Sequence, residues 1–129
     1  MNYNTKHFID ICLQSVFAAT KKIKSEIIVV DNGSIDGSIN QIRLLFPDVV
    51  LIKNKKNLGF SKGVNIGVKS AKGKYICILN PDTIVSENSF ELAINNLKKN
   101  PNIGIVGPKQ INGIGDFFKV SKRNIQTPL

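Results

Sequence analysis

Glu26-Ile27-Ile28-Val29-Val30-Asp31-Asn32-Gly33-Ser34 is the stretch on which the fold turns. Four apolar, mostly β-branched residues in unbroken succession suit a strand covered on both faces, the habit of parallel sheets. Asp31 ends the run and Asn32-Gly33-Ser34 reads as a turn. A helix over 36–46 follows, with Ile39, Ile42, Leu45 and Phe46 at helical spacing and Pro47 as its stop. Working outward, the same alternation recurs. Upstream, Phe8, Ile9, Cys12, Leu13, Val16 and Phe17 form an amphipathic stripe that predicts a helix over 5–19, with Asn4 or Thr5 as its cap. Downstream come a strand at 49–53, a polar loop at 54–59 and a weaker helix over 60–71. Gly63 and Gly67 lie four apart on that helix, so one face can bring its backbone close to a neighbour. Strands are then predicted at Tyr75–Leu79 and Ile103–Val106, on either side of a helix over 87–99. In that helix Phe90, Ala93, Ile94 and Leu97 make the inner face and Lys98-Lys99 complement the terminal dipole. Alternating β and α at this spacing predicts an α/β domain with a mostly parallel sheet and right-handed crossovers.

With 129 residues, 42% hydrophobic and 21% charged, the chain is long enough for one domain, 1–129, with a real core. No apolar run approaches the roughly 20 residues of a bilayer span, and no secretory signal is visible at Met1. The net charge is +9, but 16 of the 18 basic residues are Lys and only Arg43 and Arg123 are Arg. They divide evenly between the two halves, with no basic tail. Nucleic-acid surfaces favour Arg for its planar fork, so the charge points away from nucleic acid and leaves a phosphate or an acidic membrane surface as anionic partners. Cys12 and Cys77 have no CxxC and no paired His, which predicts two reduced core thiols in a cytoplasmic protein. His7 has nothing to activate and is expected to be solvated.

In open α/β sheets ligands bind beyond the carboxyl ends of the strands. Asp31 and Asp82 both follow predicted strands, each in a special turn, so both carboxylates can reach one crevice. The usual nucleotide motifs are absent. No GxGxxG follows a strand, and Gly67–Lys74 has the wrong spacing for a P-loop, with Tyr75 where Ser or Thr is needed. A divalent cation held by Asp82 and a diphosphate fits, because magnesium characteristically uses one or two carboxylates plus substrate phosphates.

Taken together, IIVVDNGSIDGS (27–38), NKKNLGFSKGVNIGVKSAKGKYICILNPDT (54–83) and NIGIVGPK (102–109) resemble the family-2 inverting glycosyltransferases. The opening Asn2-Tyr3-Asn4 also matches, so the resemblance runs along essentially the whole chain and weakens after Pro108. It is strongest to the rhamnosyltransferase-like branch that builds cell-surface polysaccharides. The resemblance implies a three-layer GT-A fold and a site for a nucleotide-diphosphate sugar, dTDP-rhamnose or a UDP-sugar. It implies that Tyr3 lies against the nucleobase and that Asp31 accepts a hydrogen bond from it. Asn57, Gly59 and Phe60 match the NxGF loop that shapes the donor pocket, with Asn65 on the helix beyond. Asp82 matches the last acidic residue of the DxD motif, the protein ligand of Mg²⁺ or Mn²⁺; Asn80 replaces the first acid.

The same resemblance implies transfer to a glycan or lipid-linked acceptor, with peripheral association at the cytoplasmic membrane face. It also implies a catalytic base in a carboxyl-terminal half beyond Leu129, and an apolar strand before Asn2-Tyr3-Asn4. The expectation is therefore an incomplete donor-binding domain. The alternatives are a non-catalytic binding module of that lineage and a Lys-rich domain for phosphate or nucleic acid.

Overall fold

Val29 and Val30 face opposite ways, and the amino-terminal part of the chain is layered around that alternation. The computed structural model describes residues 1–108, 110–112 and 114–116. The chain divides into two compact units, Met1–Asn88 and Ser89–Leu129. In the first, α1 (Lys6–Thr20) precedes β1 (Ile28–Asp31), α2 (Ser38–Leu45), β2 (Val50–Lys53) and α3 (Phe60–Ser70). β1 and β2 pair in parallel, Ile28 opposite Val50 through Asp31 opposite Lys53. On one face Val29 joins Ile9 and Leu13 of α1 and Ile42, Phe46 and Val49 around α2 in a single buried cluster. Phe17 and Phe46 stack with ring centroids 5.7 Å apart. On the other face α3 packs on β1, close enough that a Cβ on Gly67 would stand 3.1 Å from Val30 Cγ2. A Cβ on Gly63 would run into the Met1 sulfur. The two glycines are thus the close-approach face that their spacing predicts, and helices cover both sides of a parallel sheet as an α/β fold requires.

Two predicted strands are not formed. Tyr75–Leu79 forms no ladder among the described residues. Asn2 makes a single parallel bridge with Asp31: its N–H donates to the Val30 carbonyl at 2.8 Å and its carbonyl accepts from Asn32 N–H at 2.8 Å. The Met1 amino group donates to the Leu79 carbonyl at 3.2 Å. Cys77 is exposed rather than a core thiol, whereas Cys12 is buried and its thiol is pushed up by that burial. His7 is exposed, as expected.

The second unit contains α4 (Ser89–Lys99). Phe90, Ala93, Ile94 and Leu97 are its half-buried stripe. Ile103–Val106 is not a strand there: Ile103 N–H closes a turn onto Asn100, and Ile105 is 89% exposed.

The cap of α1 falls on Thr5, one of the two expected residues, but is made differently. Thr5 occupies the N-cap without a side-chain cap bond; its hydroxyl goes instead to Asn2 Oδ1. Asp36 takes over, accepting Lys6 N–H at 2.8 Å on one oxygen, and the Ser38 hydroxyl at 2.6 Å and Ser38 N–H at 3.0 Å on the other. Burial by itself would raise the Asp36 carboxyl, but these hydrogen bonds outweigh it and hold its pKa below the usual value. A depressed carboxylate pKa stabilises the fold above the unfolded value and loses that contribution as pH falls through the folded one. Asp36→Asn is therefore expected to lower stability at pH 7 and to flatten the loss of stability between about pH 5 and pH 3. Urea unfolding at both pH values measures this, and an unchanged slope would exclude the role.

Candidate functional site

The carboxyl ends of β1 and β2 open into two polar turns, 31–34 and 54–59, and one fully buried asparagine ties them together. Asn32 donates from Nδ2 to Asn57 Oδ1 at 3.0 Å and to the Gly59 carbonyl at 3.1 Å. Its Oδ1 accepts from Asn54 Nδ2 at 2.9 Å and from Leu58 N–H at 3.4 Å. Asn57 Oδ1 also accepts Gly59 N–H at 2.8 Å, a local turn that leads Gly59, at φ +82°, into the first residue of α3. The turns touch as well: a Cβ on Gly33 would lie 3.0 Å from the Lys56 Cα.

Beside this hub Asp31 is wholly buried. Its Oδ1 accepts Asn2 Nδ2 at 2.7 Å, and its Oδ2 accepts Gly33 N–H and Ser34 N–H, each at 3.0 Å. Asn2 Nδ2 lies 2.9 Å from the Ser38 hydroxyl and 3.1 Å from that of Ser34, so the network runs on through Ser38 to Asp36. Buried polar groups are tolerated when each is partnered, and here the carboxylate holds a turn shut. In this arrangement the carboxylate is fully buried, and its three hydrogen bonds come from its own chain.

Tyr3 follows Asn2 directly and is 44% exposed; Phe60, opening α3, is 53% exposed. Both offer aromatic surface at the same ends of the strands. Asn65 lies farther along α3 in a shallow groove of about 320 Å³ with Leu58, Lys62, Ile66 and Lys69. Asp82 is exposed in a turn fastened to α1. Cys12 Sγ approaches the Asn80 carbonyl at 3.6 Å, the Thr83 hydroxyl donates to the same carbonyl at 2.7 Å, and Val85 N–H reaches Ser15 Oγ at 3.1 Å. Met1 and Asn2 link the two acidic turns, bonding to Leu79 on one side and to Asp31 on the other. No cluster of three metal-ligating side chains exists among the described residues. A lone exposed carboxylate such as Asp82 still fits a hard divalent cation that draws its other ligands from water and phosphate oxygens.

Asn2, Asn32, Ser34 and Ser38 were not legible as site residues. Their only signal was position, beside Tyr3 and Asp31 and in the turn after the strand.

The glycosyl transferase family 2 model matches residues 1–128. The chain belongs to that family. It is 33% identical over 108 residues to an uncharacterized glycosyltransferase of Haemophilus influenzae, covering 81% of this chain and 33% of that protein. It is 32% identical over 106 residues to a poly-β-1,6-N-acetyl-D-glucosamine synthase of Staphylococcus aureus, covering 81% of this chain and 26% of the synthase. Among solved structures, S. aureus TarS residues 1–349 align with a TM-score of 0.68 at 20% identity, over 76% of this chain and 30% of that one. That likeness supports the GT-A fold. This family 2 chain spans about a quarter to a third of the length of the proteins it matches.

Proposed function

We propose that this chain is the donor-binding part of a family 2 glycosyltransferase. It holds a nucleotide-diphosphate sugar over the ends of β1 and β2, for inverting transfer to a glycan or lipid-linked acceptor at the cytoplasmic membrane face. One observation carries the reading: the two turns locked through Asn32 stand at the carboxyl ends of parallel strands, flanked by the exposed Tyr3 and Phe60 rings. In this reading Tyr3 and Phe60 flank the nucleotide, and Asn57 and Gly59 shape the pocket floor. Asn65, with Lys62 and Lys69 nearby, faces the anionic end of the donor. Asp31 is a positioning residue that fixes the turn beneath the base. Asp82 would hold Mg²⁺ or Mn²⁺, which when bound offsets the charge of the diphosphate leaving group. The donor is dTDP-rhamnose on the branch that the strings resemble, or a UDP-linked sugar. The name of the N-acetylglucosamine polymer synthases adds an N-acetylhexosamine to the candidates. The base that deprotonates the acceptor hydroxyl is assigned outside this chain.

Calorimetric titration with UDP and with dTDP, with and without Mn²⁺, tests the proposal. Binding is expected to need the metal, and Asp82→Ala is expected to weaken it at least tenfold while circular dichroism shows an unchanged fold. A folded protein that binds neither nucleotide would sink the proposal. Binding that ignores Mn²⁺ and Asp82 but falls steeply with salt would instead favour a Lys-driven phosphate or nucleic-acid surface.

A further inference from the structure

Tyr3 stands between two asparagines that are fastened in different ways. On one side Asn2 is fully buried, and its Nδ2 reaches Asp31, Ser34 and Ser38. Successive residues of an extended chain turn to opposite sides, so a buried Asn2 sends the Tyr3 ring outward, where it is 44% exposed. On the other side Asn4, at φ +52°, is the one non-glycine residue with a left-handed backbone among the described residues. Asparagine enters that region more readily than most side chains do. There Asn4 bonds twice to the turn after β1: its N–H donates to Ser34 Oγ at 2.9 Å, and its Oδ1 accepts Ile35 N–H at 3.0 Å. Ser34 N–H in turn donates to Asp31 Oδ2. The Thr5 hydroxyl closes onto Asn2 Oδ1, so residues 2–5 make a tight bend with Tyr3 inside it.

These bonds differ in what they do for stability. The Asn2–Asp31 bond is buried, but both Asn4 bonds are exposed, and water can replace them at little cost. The start of α1 does not depend on Asn4 either, since Asp36 accepts Lys6 N–H. What Asn4 does decide is the path of the chain as it leaves Tyr3, and hence the direction of a ring left nearly half in water.

We propose that Asn4 is a positioning residue for the nucleobase, acting through Tyr3: by clasping Ser34 and Ile35 it holds the ring in place beside the turn that Asp31 organises. The inference rests on the donor-binding reading above and adds to it a residue that need not touch the donor. A ring held before the nucleotide arrives need not be ordered by it, and affinity rises by the ordering cost saved.

Calorimetric titration of the intact chain with UDP and dTDP, in the presence of Mn²⁺, tests it. Asn4→Gly keeps the left-handed backbone and lacks Oδ1; it is expected to bind nucleotide about fivefold more weakly with an unchanged circular dichroism spectrum. Asn4→Asp keeps an oxygen for Ile35 N–H and tolerates the same backbone, so it is expected to stay within about twofold of wild type. A double-mutant cycle decides: in a Tyr3→Ala background, where binding is already weakened, Asn4→Gly should cost nothing further. An equal loss in both backgrounds would overturn the inference, because Asn4 would not be acting through the ring. An unfolded Asn4→Gly would overturn it too, since the bonds would then hold the fold rather than the ring. Nucleotide binding by wild type with no loss in Asn4→Gly sinks the inference alone, whereas a folded wild type that binds neither nucleotide sinks the donor-binding reading and the inference together.

Discussion

Asp31→Ala is expected to cost about 3–5 kcal/mol, because one fully buried carboxylate accepts three hydrogen bonds. Gly33 N–H and Ser34 N–H, both half-buried, would lose Oδ2, and the fully buried Asn2 amide would lose Oδ1. For a chain of this size that corresponds to a melting temperature lower by roughly 10–20 °C. Asp31→Asn separates charge from geometry. Its single carbonyl oxygen can serve the two turn amides or Asn2 but not both, so its loss should be smaller, about 1–2 kcal/mol. Thermal melts and urea titrations of both variants measure the pair. A loss below about 1 kcal/mol in Asp31→Ala would show that the buried carboxylate does not organise the turn.

Asn32→Ala is expected to cost about 2–3 kcal/mol and to loosen 54–59 more than the rest of the first unit. The spread reflects what each orphaned partner can do. Asn57 is exposed and Asn54 half-buried, so both side chains can turn toward water, and Leu58 N–H gives up only a long bond. The Gly59 carbonyl loses a good donor at the point where α3 begins. Asn32→Asp gives the sharper readout. At neutral pH it sets a carboxylate oxygen against Asn57 Oδ1 and the Gly59 carbonyl, both acceptors about 3 Å away. It should be at least as destabilising as Ala at pH 7 and recover part of the loss when protonated. Equal stability of Asn32→Asp and wild type at pH 7 would mean that the amide is not the link between the turns.

Much of this architecture could be read from the chain before any coordinates. The runs at 26–31 and 49–53, the stripe of Phe8 to Phe17 and the Gly63–Gly67 spacing all match elements of the structure, because local periodicity and chain punctuation decide them. Tyr75–Leu79 forms no ladder among the described residues: a strand depends on its neighbours, and nothing within YICIL reports them. Cys77 is exposed along with it. At the site, Asp31 was legible as a special position, but its bonding was not. Whether a carboxylate faces a ligand or its own backbone depends on where Asn2, 29 residues earlier, returns to it. Asn32 was read as a turn residue on local chemistry; its partners lie 22 to 27 residues away, beyond any short-range pattern.

The dipeptide Asn32-Gly33 has a chemical consequence as well. In a flexible chain this is the pairing most prone to deamidation: the glycine nitrogen attacks the asparagine amide carbon, ammonia leaves, and water opens the resulting imide to aspartate or isoaspartate. Here the nucleophile donates to Asp31 Oδ2, and the amide is held on all sides by Asn54, Asn57, Leu58 and Gly59. Of the chain's two Asn-Gly pairs, the other being Asn112-Gly113, the folded protein thus shelters this one. Each unfolding exposes it, and a molecule that has aged there carries an acid where the fold needs a donor. Repeated or prolonged unfolding would then become irreversible through covalent damage rather than through aggregation.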